Sequence, residues 1–144
     1  MFVEPPATIA ILGAGPIGLE AALYGRYLGY DVKLFERGTV ADSVLRWGHV
    51  RMFSPFKMNA SPLGLNALAA QDEGFRPPAA DALLTGQQWA EAYLLPLAQS
   101  DLIVDGIVEK TQVLAIARSE HRKDALIGDL SRADSPFRLL VEDS

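Results

Sequence analysis

Cysteine is absent from the 144-residue chain, which excludes disulfide stapling, thiolate metal sites and any dithiol or cysteine-nucleophile chemistry within it. Only two histidines occur, and no His-x-x-x-His pair, EF-hand spacing or Ser-His-Asp arrangement exists to support a metalloenzyme or a hydrolase. Basic charge is in deficit, with 13 Lys and Arg against 18 Asp and Glu, a net charge of -5 and a pI of about 4.9. No global positive field therefore draws in nucleic acid or an anionic membrane. A long uninterrupted hydrophobic run is missing as well. The apolar stretch from Thr8 to Gly29 is broken by Glu20 and Arg26, and no positive residue precedes Arg26, so it fits neither a membrane span nor a signal peptide. The expectation is a soluble cytoplasmic protein with no nucleic-acid and no membrane partner. Substrate and oligomeric state are not encoded in these features.

What is present is an ordinary globular balance, 49% hydrophobic and 22% charged residues with a mean hydropathy of +0.13, enough for one core. Ile9 to Leu12 is a compact apolar run ended by glycine, which predicts a strand buried on both faces and central in its sheet. From Pro16 to Leu28 the residues Ile17, Leu19, Ala22, Leu23 and Leu28 recur at helical spacing. Pro16 stands at a first-turn position and Gly29 at a C-terminal stop. Asp31 to Glu36 alternates as a second strand, ended by Arg37-Gly38. Strand, helix and strand make a βαβ unit, whose crossover implies parallel strands joined right-handedly.

Further on, Ala41 to Pro62 reads as a long loop of the kind that is functional or covers something. Leu63 to Gln71 reads as a short helix, with Asn59 and Ser61 as candidate caps. Thr85-Gly-Gln-Gln88 is a capping box opening a helix to Ala98, whose last turn Pro96 bends or shortens. Ile103 to Arg118 reads as two short strands with a break at Gly106. A charged segment, Ser119 to Pro136, forms a solvated turn around His121. The strand at Phe137 to Val141 either pairs backward with Val113 to Arg118 or lies inside a larger sheet.

Gly13-Ala14-Gly15-Pro16-Ile17-Gly18 fits G-x-G-x-x-G between a strand and a helix, with Glu36 at the end of the next strand. Gly13 allows the tight turn, Gly15 lets the backbone approach a pyrophosphate, and Gly18 lets the helix pack closely on the strand. The helix start offers free N–H groups and a partial positive charge to phosphates. Glu36 can accept hydrogen bonds from ribose hydroxyls, and its charge repels a 2′-phosphate, which disfavours NADP here. The bland alternative is a glycine turn beside a solvated carboxylate. Taken together, the four features predict dinucleotide binding, and the glycine geometry alone serves FAD and NAD alike.

Ile9 to Gly38, including Ala22 and the ending Gly29-x-x-Val32-x-x-x-Glu36, resembles the N-terminal FAD-binding segment of the two-dinucleotide-binding-domain flavoproteins, the glutathione reductase-like and flavin monooxygenase-like enzymes. That resemblance implies FAD at the first fingerprint, with NAD(P)H as reductant at a site outside this chain. Trp47 stands where monooxygenase-like members place a tryptophan after the ribose acid, although their paired glycines are Val44 and Leu45 here. Thr111-Gln-Val113-Leu-Ala-Ile116 is similar to the segment entering the family's antiparallel insertion, which implies adenine near Val113. The family's late-strand Gly-Asp pair and its separate NAD(P)H domain have no counterpart in these residues.

The expected fold is α/β, a three-layer Rossmann-like FAD/NAD(P)-binding domain with a parallel sheet and a partial antiparallel insertion, residues 1–144 forming a single, incomplete domain. The expected cofactor site is Gly13, Ala14, Gly15, Pro16, Ile17, Gly18, Glu36, Arg37, Trp47 and Val113, as the FAD-binding portion of an oxidoreductase. The alternatives are an NAD-dependent dehydrogenase domain and a catalytically inactive nucleotide-binding fragment. His49 and Arg51 read as loop residues bonded to nearby carbonyls, and no catalytic residue is assigned. Trp89, Tyr93 and Leu94 recur at helical spacing and read as core.

Overall fold

A computed structural model describes residues 3–122, 124–125, 127–128, 132 and 134–143. Strand β1 (Thr8–Leu12) leads through the glycine turn into helix α1 (Pro16–Tyr27), and the chain returns as β2 (Asp31–Phe35). β1 and β2 pair in parallel with Ile9 opposite Val32 and Ile11 opposite Leu34, as a βαβ crossover requires. Helix α1 has Pro16 in its first turn and ends at Leu28, and Gly29 follows with a φ of 88° in the left-handed region. That is the glycine stop expected of the sequence.

The helix lays Leu19, Ala22 and Leu23 against Val32 and Leu34 in one core cluster. Tyr93, Leu94 and Leu97 join it from the second half of the chain. β2 is the middle strand, because β3 (Ile107–Val108) pairs with it in parallel on its other side. β1 is therefore an edge strand among the described residues, and its residues alternate between exposed and half-buried. The expectation of a central strand buried on both faces is corrected here. A compact apolar run specifies extended backbone, but how deeply it is buried depends on strands and helices elsewhere in the chain.

The long connection after β2 is more ordered than its composition suggests. It contains α2 (Asp42–Arg46), a 3-10 turn at Phe56–Met58 and then α3 (Pro62–Gln71). Ser61 caps α3 by accepting from the Gly64 N–H at 2.8 Å, whereas Asn59 turns its amide to the Ser54 and Pro55 carbonyls. Thr85 and Gln88 form the expected capping box at the start of α4 (Gly86–Trp89). A π-helical stretch, Ala90–Leu94, continues it into α5 (Leu95–Ala98). Pro96 has no N–H to give to the carbonyl four residues back, and the helix widens into the preceding π turn instead of ending there.

A 3-10 turn at Val104–Gly106 precedes β3, and β4 (Thr111–Arg118) then pairs antiparallel with β5 (Phe137–Asp143) as a separate two-stranded sheet. The backward pairing of the last strand is thus the alternative realised. Within the Ser119 to Pro136 segment, Lys123, Leu126, Asp129, Leu130, Ser131 and Ala133 lie outside the described residues. The architecture is mixed α/β, a parallel three-stranded sheet plus an antiparallel pair.

Thr85→Ala leaves the Gln88 N–H without its side-chain acceptor, while the Gln88 side chain can still accept from the backbone N–H of residue 85. It is expected to lower stability by about 1 kcal/mol, read as a shifted midpoint in urea with an unchanged slope.

Candidate functional site

The glycine turn sits at the C-terminal ends of β1 and β2, where a cleft of about 650 Å³ opens over the start of α1. Gly13 takes a φ of 97° and gives its N–H to the Phe35 carbonyl at 2.7 Å, which locks the turn onto the end of β2. A side chain in that region of backbone space is strained, so glycine is the fitting residue. At Gly18 an added Cβ would overlap the Gly13 carbonyl oxygen, so the absence of a side chain is what lets α1 begin directly against the turn. Gly15 differs from both. Its backbone is extended, and an added Cβ would meet nothing nearer than the Ser43 hydroxyl at 3.9 Å. It is the glycine whose bareness opens space in the cleft instead of relieving a contact.

The first turn of α1 carries no acidic residue and no side-chain cap. The helix start thus has no capping side chain of its own at the edge of the cleft, and its free N–H groups and the positive end of the helix dipole favour an anion.

Glu36 stands beside the turn, half-buried, and each of its carboxylate oxygens accepts a backbone N–H. Ala14 donates to one and Gly38 to the other, both at 2.8 Å. A carboxylate has about four lone-pair positions, so two remain for further donors. Arg37 and Val113 also line the cleft. Ala14 is wholly buried and contributes through its N–H.

Of the ten expected site residues the cleft thus gathers nine around Glu36 and the turn, eight as lining and Ala14 behind them. Trp47 is the exception. Its ring packs over Gly86 at the start of α4, where an added Cβ would clash with it, and it does not line the cleft. Lining residues not singled out from sequence as site residues are Leu12 and Phe35 at the strand ends, Asp42, Ser43 and Arg46 of α2, and Thr111 and Gln112. Asp42 and Arg46 form an i,i+4 ion pair at 2.6 Å, the one local pattern that marks this short helix. Arg51 donates to the Leu83 carbonyl at 2.9 Å, as a loop residue, and His49 is exposed.

On the other side of Pro16 and Ile17, a second polar group is built around Tyr93, which is 1% exposed. Its hydroxyl donates to Glu20 of α1 and accepts the Ser61 N–H at 3.1 Å. Gly64 makes room for that hydroxyl, since a Cβ there would overlap it. Burial, and then the bond to Glu20, push the Tyr93 phenol up to about 12 from 10.0.

Sequence comparison finds no matching family model and no matching curated relative. Solved structures do match. An oxidized steroid monooxygenase bound to NADP is 23% identical with a TM-score of 0.56, over 77% of this chain and 20% of that one. OTEMO in complex with FAD and NADP is 16% identical with a TM-score of 0.59, over 99% of this chain and 24% of that one. The bacillithiol disulfide reductase of Staphylococcus aureus is 17% identical with a TM-score of 0.54, over 99% and 35%. This chain shares their Rossmann-like fold. It spans only about a fifth to a third of their length. Among the described residues no helix is long and apolar enough to cross a membrane, and no cluster of metal-ligating side chains occurs.

Two predictions follow from these hydrogen bonds. Glu36→Gln replaces one acceptor with an NH₂ that faces a backbone N–H, and should cost about 1–3 kcal/mol in urea denaturation without any ligand. For Tyr93 the folded state holds the protonated phenol more tightly than the unfolded chain does. The stabilisation is whole below pH 10.0 and declines as pH rises towards about 12. Stability measured across that window should fall less steeply in Tyr93→Phe.

Proposed function

We propose that the chain is the FAD-binding part of an FAD-dependent oxidoreductase, with NAD(P)H as a reductant held elsewhere. The observation that carries this reading is the contrast between the fingerprint glycines. Gly13 and Gly18 are required by the fold itself, whereas at Gly15 an added Cβ would meet only the Ser43 hydroxyl, at 3.9 Å, among the described residues. A bare backbone beside a helix start with no capping side chain is what a pyrophosphate needs.

In this reading the pyrophosphate lies on the N–H groups of Gly15, Ile17 and Gly18, and the ribose on the two remaining lone-pair positions of Glu36. Arg37 and Val113 stand at the adenosine end of the cleft. The negative charge of Glu36 selects against a 2′-phosphate at this site. When bound, FAD supplies the isoalloxazine ring, which exchanges hydride or single electrons; the protein supplies position and electrostatics. Support for FAD over NAD comes from the flavin resemblance of Ile9 to Gly38 and from the FAD in the OTEMO structures. Trp47 has no part in this assignment.

Added FAD should survive gel filtration with the purified chain at near one equivalent, seen as a retained visible flavin band. Gly15→Val should keep its circular dichroism and urea midpoint, because the backbone there suits any residue and an added Cβ meets nothing nearer than the Ser43 hydroxyl at 3.9 Å, yet lose the band. A folded Gly15→Val protein that still retains FAD sinks this reading, and a colourless wild type that binds NAD instead hands the cleft to the dehydrogenase alternative. Glu36→Ala should weaken FAD binding by about 1.5–3 kcal/mol, measured as a dissociation constant by flavin fluorescence.

A further inference from the structure

A second cavity, of about 350 Å³, lies against the opposite side of the α1 start and shares only Pro16 and Ile17 with the dinucleotide cleft. Its walls are largely apolar. Trp89 and Leu94 form the inner side, while Ile17 and Met58, 82% and 72% exposed, stand at the rim. Such a volume fits a small organic ligand.

The polar groups around it are almost all spoken for. Trp89 gives its ring N–H to the Asn59 carbonyl at 2.9 Å, and the Asn59 amide is used by the Ser54–Pro55 turn. Ser61 caps α3, and the Tyr93 hydroxyl is held between Ser61 and Glu20. One group is left over. Glu20 spends a single carboxylate oxygen on Tyr93, and its other oxygen meets no donor among the described residues. No Lys, Arg or His lines the cavity to neutralise it.

A carboxylate with a spare acceptor beside an indole, a phenol and a thioether is the chemistry that recognises an ammonium group on an apolar body. The start of α1 also borders the cavity through Pro16 and Ile17, so its positive end works against a cation there and the attraction rests on the Glu20 carboxylate and the aromatic walls. We infer that this cavity binds a small, protonated amine with an apolar or aromatic body, its N–H groups donating to the free oxygen of Glu20. The π-helical stretch Ala90–Leu94 carries Tyr93 and Leu94 to the cavity, a helix irregularity that recurs at functional sites. This binding does not depend on the FAD-binding reading.

The test uses 2-phenylethylamine and its neutral counterpart 2-phenylethanol, titrated at neutral pH into the full chain labelled at methionine methyl groups. The expected result is a saturable shift of the Met58 resonance, with the amine binding about ten-fold more tightly than the alcohol. Glu20→Gln, which still accepts from Tyr93, should erase that preference while the alcohol's affinity stays. Gly15→Val should retain the preference even as it loses FAD, which separates this site from the dinucleotide cleft. Equal binding of the two probes, no saturable shift with the amine, or an undiminished preference in Glu20→Gln overturns the assignment. Loss of amine binding in a folded Gly15→Val protein also overturns it, by placing the amine in the other cleft.

Discussion

Glu36 is the point through which the separate pieces of the chain are joined. Its carboxylate takes the N–H of Ala14 from the glycine turn and of Gly38 from the following loop. Its own N–H goes to the Val108 carbonyl of β3, and its carbonyl accepts from Thr111 at the start of β4. Four hydrogen bonds at one residue therefore tie β1, β2, β3 and the antiparallel pair to a common corner. The cleft is the open side of that corner. Neighbouring bonds repeat the pattern, with Lys110 donating to the Gly38 carbonyl and Val40 to the Glu109 carboxylate. An acid at the end of the second strand is thus structural in its own right, and it keeps lone pairs to spare on the cleft side.

The βαβ unit and the fingerprint were legible in the sequence because their determinants are local. The glycine stop after α1, the Ser61 and Thr85 caps and the strand alternation of β2 all act within a few residues, and the structure has each of them. The misses share the opposite cause. How deeply β1 is buried depends on which strands flank it, and Trp47 is drawn to Gly86 by a contact across the fold that no spacing encodes. Helix α2 was hidden for another reason. It is only five residues long, and its cap, Ala41 with a φ of 59°, carries no capping side chain. Neither periodicity nor an N-cap residue announces such a turn.

Tyr93 shows how one residue can belong to a core and to a site. Its spacing with Trp89 and Leu94 reads correctly as packing, since all three are buried. Its ring meets Phe56 edge-on with centroids 5.9 Å apart. What the spacing does not reveal is where the hydroxyl goes. A buried phenol must find partners, and those partners, Glu20 and Ser61, come from two other helical segments at the rim of the second cavity. Satisfying Tyr93 brings a carboxylate to that cavity and leaves half of it unspent.

The three fingerprint glycines divide the work of the turn in a way that separates folding from binding. Gly13 is needed for its dihedral angle and Gly18 for the approach of two backbones. Substitution at either reports first on stability. Gly15 satisfies neither requirement, as its conformation suits any residue and an added Cβ would make only an ordinary contact with the Ser43 hydroxyl. Folding alone supplies no reason for glycine there, and in the FAD-binding reading proposed above that reason is a pyrophosphate that approaches the backbone closely. The start of α1 at the same point, with no acid in its first turn and no side-chain cap, suits an anion.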